Sequence, residues 1–148
     1  MIGQANAMPL VSGLNGEVPP GRPTLLASST LVVIAKHDGE QVRTYQDVRL
    51  AGTRAPIHVH PFGGWTCVVS GQTILCMEGV APQMAHPGDC VDMPADTAMS
   101  NVNPGPGTTV LIDNFVRPGD GPIWGIMEKG DTHLRTRSAN SRFARRNR

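Results

Sequence analysis

The sequence predicts an all-β domain, built as a sandwich or a barrel. Three observations carry this. Short apolar, β-branched runs recur about every 8–12 residues, with Gly, Pro, Asn or Asp between them. The 17 Gly and 13 Pro among 148 residues are spread along the chain, as turns joining short strands require. No stretch sustains the 3.6-residue period of a helix over a useful length. A hydrophobic content of 39% in 148 residues suits one domain with a real core. No internal repeat or second domain is visible, and jelly rolls are natural candidates.

The elements follow in order. Residues 1–23 are rich in Gly and Pro, and residues 1–30 read as an extended N-terminal arm. A barrel core is expected over 31–118, and 119–148 forms a C-terminal segment of the same domain. Thr30–Lys36 (TLVVIAK) is apolar and β-branched and reads as a strand. His37–Glu40 (HDGE) holds an Asp-Gly pair, the strongest short hairpin signal. Gln41–Leu50 alternates Val42, Thr44, Val48 and Leu50 against polar partners, which predicts a half-buried strand with those four on its apolar face. Further strands are expected at 55–60 (APIHVH), 65–71 (WTCVVSG), 72–79 (QTILCMEG), 90–93 (CVDM), 98–103 (AMSNVN) and 108–116 (TTVLIDNFV).

Charge divides the chain unevenly. Residues 1–134 hold seven Lys and Arg against 12 Asp and Glu, a net −5, whereas Arg135–Arg148 holds six Arg and no acid, a net +6. This basic tail has one aromatic, Phe143, and no nucleic-acid motif, so a solvated or self-docking tail is expected rather than nucleic-acid binding. No apolar run approaches the roughly 20 residues of a membrane helix. Cys67, Cys76 and Cys90 are odd in number and lack CxxC spacing, which predicts no disulfide framework and favours the reducing cytoplasm. Cys76 and Cys90 are expected to be buried small hydrophobes. Met1–Leu10 has no basic start and no long apolar run, although "ANA" is similar to the end of a leader peptide, so export stands as the alternative.

His58 and His60 lie one residue apart on an expected strand. Side chains at i and i+2 of a strand point to one face, so a strand can aim two imidazoles at one point. The competing reading, two histidines on a solvated face, conflicts with the apolar Ile57 and Val59 on the other face. The wider spacing reads Gly52, five residues, His58, one, His60, three, Gly64, six, Gly71; then Gly88, five, Pro94, one, Asp96, two, Met99, three, Asn103. Over about Leu31–Val116 this resembles the two motifs of the cupin superfamily, G-x5-H-x-H-x3,4-E-x6-G and G-x5-P-x-G-x2-H-x3-N.

The resemblance implies a small double-stranded β-helix, a jelly-roll barrel of the RmlC-like kind. It also implies a homodimer as the usual state, and a metal and small-molecule pocket in the barrel mouth. It places metal ligands at His58, His60, Gly64 and Met99, where Gly64 replaces the usual Glu, Met99 the usual His, and Asp96 a glycine. Two imidazoles suit Zn, Cu, Fe or Ni, and a thioether is a weak, soft ligand that is more often core packing. Thr66 and Gly64 share one parity, and loss of the Glu side chain is expected to leave room there for substrate. Asn101 and Asn103 share the parity of Met99; Asn101 is the expected pocket group, and Asn103 is expected to fix the turn before PGPG. Phe62, Trp65 and Trp124 are candidates for an apolar wall, Cys67 is placed away from the pocket, and His37 and His133 are expected to be exposed.

Two functions of the barrel remain open from these residues, beside a third and weaker one in which the basic tail Arg135–Arg148 has the main role as a nucleic-acid or partner contact. One is a metal-dependent cupin that binds a small organic ligand and acts as an oxygenase, isomerase or lyase; no general base is evident at the usual positions. The other is a metal-free cupin that binds or senses a small molecule without catalysis.

Overall fold

Asp38 and Gly39 form the expected hairpin turn. Both have positive φ, 46° and 81°, as a two-residue type I′ turn requires. They join β2 (Ser28–His37) to β3 (Glu40–Arg49), with His37 opposite Glu40. The computed structural model describes residues 9–130. Its other strands are β1 (Arg22–Pro23), β4 (Thr53–Arg54), β5 (His58–Val59), β6 (Gly64–Ser70), β7 (Thr73–Met77), β8 (Gln83–Ala85), β9 (Cys90–Met93), β10 (Met99–Val102), β11 (Thr109–Pro118) and β12 (Gly125–Ile126). The short β1, β4, β8 and β12 went unread in the sequence. The expected strand at 55–60 shrinks to two residues, because Pro56 and Pro61 bracket it and carry no N–H for a ladder.

Two sheets make the jelly-roll barrel. One runs β2-β3-β11-β6-β9; the other runs β1-β4-β10-β5-β12, with β7 paired to β10 and β8 to β7. Their inner faces meet in a core of Tyr45, Met93 and Phe115 from the first sheet and Leu75, Met77 and Met99 from the second. Gly71 turns the chain between β6 and β7 at a φ of 75°, where an added Cβ would come within 2.6 Å of the Thr108 carbonyl oxygen. That position therefore needs both a left-handed backbone and no side chain.

The face of β3 is the reverse of the one expected. Arg43, Tyr45, Asp47 and Arg49 point inward and are buried, while Val42, Thr44 and Val48 are half-buried on the outer side and Leu50 is exposed. Alternation gives the period of a strand but assigns the faces only when the interior is apolar. Here part of the interior is a cavity, and Arg43, Tyr45 and Arg49 of β3 line its wall.

Cys67 and Cys90 form a disulfide, contrary to the expectation from the odd cysteine count. They stand directly opposite in the antiparallel β6–β9 pair, a register that sequence spacing does not reveal. Cys90 is thus bonded and exposed rather than a buried hydrophobe. Cys76 is buried and free; burial raises its thiol pKa, against a smaller lowering by the Arg54 charge, so it is a poor nucleophile.

The described part of the N-terminal arm is docked rather than free. Leu14 is buried in a cluster with Ile57, Cys76 and Val102. Asn15 Nδ2 donates to the Met77 and Val80 carbonyls at 2.9 and 3.1 Å, and its Oδ1 accepts from Gly79 N at 2.8 Å. Beyond β11 the chain crosses back over the barrel: β12 pairs with β5, placing Ile126 opposite His58. The Arg54–Glu128 ion pair anchors this strap, with Nη1–Oε1 at 2.5 Å. His133 and the basic tail lie outside the described residues. Among those described, no helix is long and apolar enough to cross a membrane.

Candidate metal and ligand site

His58 and His60 are both buried, at 7% and 2% exposure, which removes the solvated-face reading. Their neighbours Ile57 and Val59 are buried too, so this short segment is enclosed on both faces. Pro61 ends the strand, and the chain turns back with Gly63 N donating to His60 O at 3.1 Å.

Each imidazole is oriented by a backbone carbonyl. His58 Nδ1 lies 2.7 Å from Pro56 O, and His60 Nδ1 lies 2.7 Å from Ile123 O on the strap. Carbonyls only accept, so both Nδ1 atoms carry the proton and donate. In the neutral rings both Nε2 atoms are then lone pairs, and they face each other 3.1 Å apart. Packing fixes the rings as well: His60 stacks on Phe115 at 4.6 Å, and His58 meets Trp124 edge-on at 5.9 Å.

Two facing lone pairs repel unless something positive lies between them. A proton shared by the pair does this, and so does a metal ion. For nitrogens bound at 2.0–2.1 Å to one ion, right-angled and tetrahedral arrangements require separations of about 2.9 and 3.4 Å; the observed 3.1 Å lies between them. Ligating histidines usually donate their second ring N–H to a carbonyl or carboxylate, and both do so here. The donor pair therefore fits a divalent transition metal.

Of the other two motif positions, Gly64 has no side chain to offer and Met99 belongs to the apolar core. A Cβ built at Gly64 would run into the Asn114 carbonyl oxygen, and it would come within 3.2 Å of Phe115 Cα. Gly64 therefore leaves no room for substrate; β11 closes the space where a carboxylate would project. Met99 lines the cavity wall and stands opposite His58 in the β10–β5 register, but it is wholly buried in the apolar core with Leu75, Met77 and Met93. Its packing role is sufficient to account for it. Asp96 keeps the left-handed backbone of the glycine it replaces, at a φ of 55°, which Asp tolerates better than most residues. Among the described residues, no three His, Cys, Asp or Glu side chains converge on one point.

A cavity of about 280 Å³ opens beside the imidazoles. His58, His60, Met99, Asn101 and Trp124 line it as the sequence suggests. Asn101 Oδ1 accepts from the Thr73 hydroxyl, so part of its hydrogen bonding is satisfied within the protein. Thr66, Phe62 and Trp65 are not on the cavity wall. Thr66 points inward and is buried, with no hydrogen-bond partner for its Oγ1. Trp65 lies on the outer face of β6, and Phe62 is exposed, with its ring against Gly121. Asn103 ties the turn together as expected: Nδ2 donates to Arg49 O and Gly107 O, both at 2.9 Å, and Oδ1 accepts from Gly105 N at 2.8 Å. His37 is exposed beside Asp38.

The residues missed in the sequence are those of the inverted β3 face and its neighbour. Arg43, Tyr45, Arg49 and Asp113 all line the cavity. Tyr45 and Asp113 stand directly opposite in the β3–β11 register. These two share the cavity wall with the histidines, and motif positions do not reveal them.

No protein-family model matches the chain, and no curated protein matches it in sequence. Solved structures do match in fold. The DMSP lyase DddQ from Ruegeria pomeroyi DSS-3 superposes with a TM-score of 0.53 at 22% identity, covering 61% of this chain and 45% of the lyase, so less than half of that protein is represented. An uncharacterised protein with a double-stranded β-helix domain from Klebsiella pneumoniae gives 0.51 at 22% identity, over 74% of this chain and 91% of that one. A cupin-like protein from Thermotoga maritima gives 0.51 at 20% identity, over 66% and 72% of the two chains. At such identities the likeness shows a shared fold.

Proposed function

Since the chain has the cupin fold, a double-stranded β-helix barrel, we propose that it binds a divalent transition metal through His58 and His60 beside a small-molecule pocket. The metal would support lyase, isomerase or oxygenase chemistry. The observation that carries this is the pair of Nε2 atoms 3.1 Å apart, each on a ring whose Nδ1 is held by a carbonyl. A bound metal supplies a Lewis acid that polarises a substrate oxygen. The protein's own groups do the rest. The Phe115 and Trp124 contacts hold the rings in place, and Tyr45 and Asp113 stand on the same cavity wall as groups able to give and take a proton.

Equilibrium dialysis of chelator-treated protein against zinc is expected to give one bound equivalent. His58→Ala with His60→Ala should abolish it, while Met99→Leu should retain it. A wild type that binds no zinc, or a double variant that binds it equally, contradicts the metal reading.

The closed Gly64 position favours a second reading, a metal-free binding cupin. In that case the imidazole pair shares one extra proton, and the cavity holds its ligand without catalysis. The Cys67–Cys90 bridge supports export over the cytoplasm, because such bridges persist in oxidising compartments. Alkylation of the protein from its own cells should show one free thiol; three free thiols contradict export.

A further inference from the structure

Arg43 is 8% exposed and lies on the cavity wall. Its Nε donates to Gln41 Oε1 at 3.3 Å, and the same oxygen accepts from Arg117 Nε at 3.3 Å. Two guanidinium groups thus share one neutral acceptor. Arg117 also donates to Gly121 O at 3.0 Å and has the Asp120 carboxylate at 3.9 Å. Arg43 has no counterpart of these. Among the described residues it forms no ion pair, not even with Asp113 on the same wall. No hydrogen bond to another described residue uses its two terminal nitrogens. A buried cation without a counter-ion is costly, and a guanidinium presents two parallel N–H groups that match a carboxylate.

Its position gives the anion a direction. Arg43 stands opposite Phe115 in the β3–β11 register, and Phe115 stacks on His60 at 4.6 Å. Arg43 and the two imidazoles thus line one cavity, with Phe115 between them. The volume of about 280 Å³ sits near the lower end of small-molecule pockets, about 300 Å³. Resting on the reading of this cavity as the ligand pocket, we propose that it takes a small organic acid. The carboxylate pairs with the Arg43 guanidinium, and the remaining atoms lie along Tyr45 and Phe115 toward His58 and His60.

Calorimetric titration of the full chain with succinate, with uncharged succinamide and with inorganic phosphate tests this, on both chelator-treated and zinc-loaded protein. Succinate is expected to bind, and succinamide and phosphate at least tenfold more weakly. Arg43→Gln should weaken succinate at least tenfold and leave zinc stoichiometry unchanged. Arg43→Lys should recover part of the loss, and Arg22→Gln should change nothing. Without ligand, Arg43→Gln should not lower the melting temperature, because it removes a buried cation that forms no ion pair with a described residue. Equal binding of succinamide or phosphate, unchanged succinate affinity in Arg43→Gln, or no succinate binding by the wild type overturns the proposal. So does a lower melting temperature with affinity unchanged, which assigns Arg43 a purely structural role. Loss of zinc binding alone overturns only the metal reading, because the acid is also measured on metal-free protein.

Discussion

Replacing Glu128 by Ala is expected to destabilise the protein by about 3–5 kcal/mol. The Arg54 side chain is 4% exposed and that of Glu128 15%, so this is a buried pair rather than a surface one. Besides the contact at 2.5 Å, Arg54 Nη2 lies 3.4 Å from Oε2, and Ile57 N donates to Oε1 at 3.0 Å. Truncation leaves a guanidinium and a backbone N–H without their acceptor. Arg54 keeps only carbonyl partners, Gly21 O at 3.2 Å and Ala55 O at 3.3 Å, which carry no full charge. Removing both charges with Arg54→Met and Glu128→Leu should cost less than the single truncation, because no unpaired ion remains. The effect reaches the site: Glu128 anchors the strap whose Ile123 carbonyl holds His60 and whose Trp124 packs on His58. Urea denaturation of the three variants measures this, and a loss below about 1 kcal/mol for Glu128→Ala contradicts it.

The second large effect is at Gly64. Installing the glutamate that the cupin pattern carries, Gly64→Glu, should not create a metal ligand; it should prevent folding or cost on the order of 4 kcal/mol or more. The obstacle is backbone. The new Cβ meets the carbonyl of Asn114 and comes within 3.2 Å of Phe115 Cα, both on β11, the middle strand of its sheet. Relief requires β6 to separate from β11, and with it the Phe115 ring that supports His60. Soluble yield, melting temperature and zinc affinity of the variant provide the check. A folded Gly64→Glu protein that binds zinc more tightly than wild type would show that the position is a vacated ligand site.

Legibility in the sequence followed the range of the interactions. The motif glycines and the His-x-His spacing are readable because they answer to local sterics: a left-handed turn at Gly71, side chains two apart on one face of a strand. Even the departure at Asp96 is intelligible, because the residue keeps a φ of 55°. What depends on pairing over long separations is not readable. Cys67 and Cys90 meet only through the β6–β9 register. The strap, which shows no clear period in the sequence, is placed by Arg54 and by β5, dozens of residues earlier. The inverted face of β3 is a different failure. Its alternation is correct, but Arg43, Tyr45 and Arg49 line an interior cavity, and with Asp47 they are buried in place of the valines. The same inversion hid the charged wall of the site.

The central claim is that His58 and His60 share one ion. An anomalous-difference map from crystals of protein grown with zinc, recorded on either side of the zinc edge, tests it most directly. The account predicts a single strong peak about 2.0–2.1 Å from both Nε2 atoms, with both Nδ1 atoms still on the carbonyls of Pro56 and Ile123. No peak there, with the two Nε2 atoms still in hydrogen-bonding contact, would contradict it.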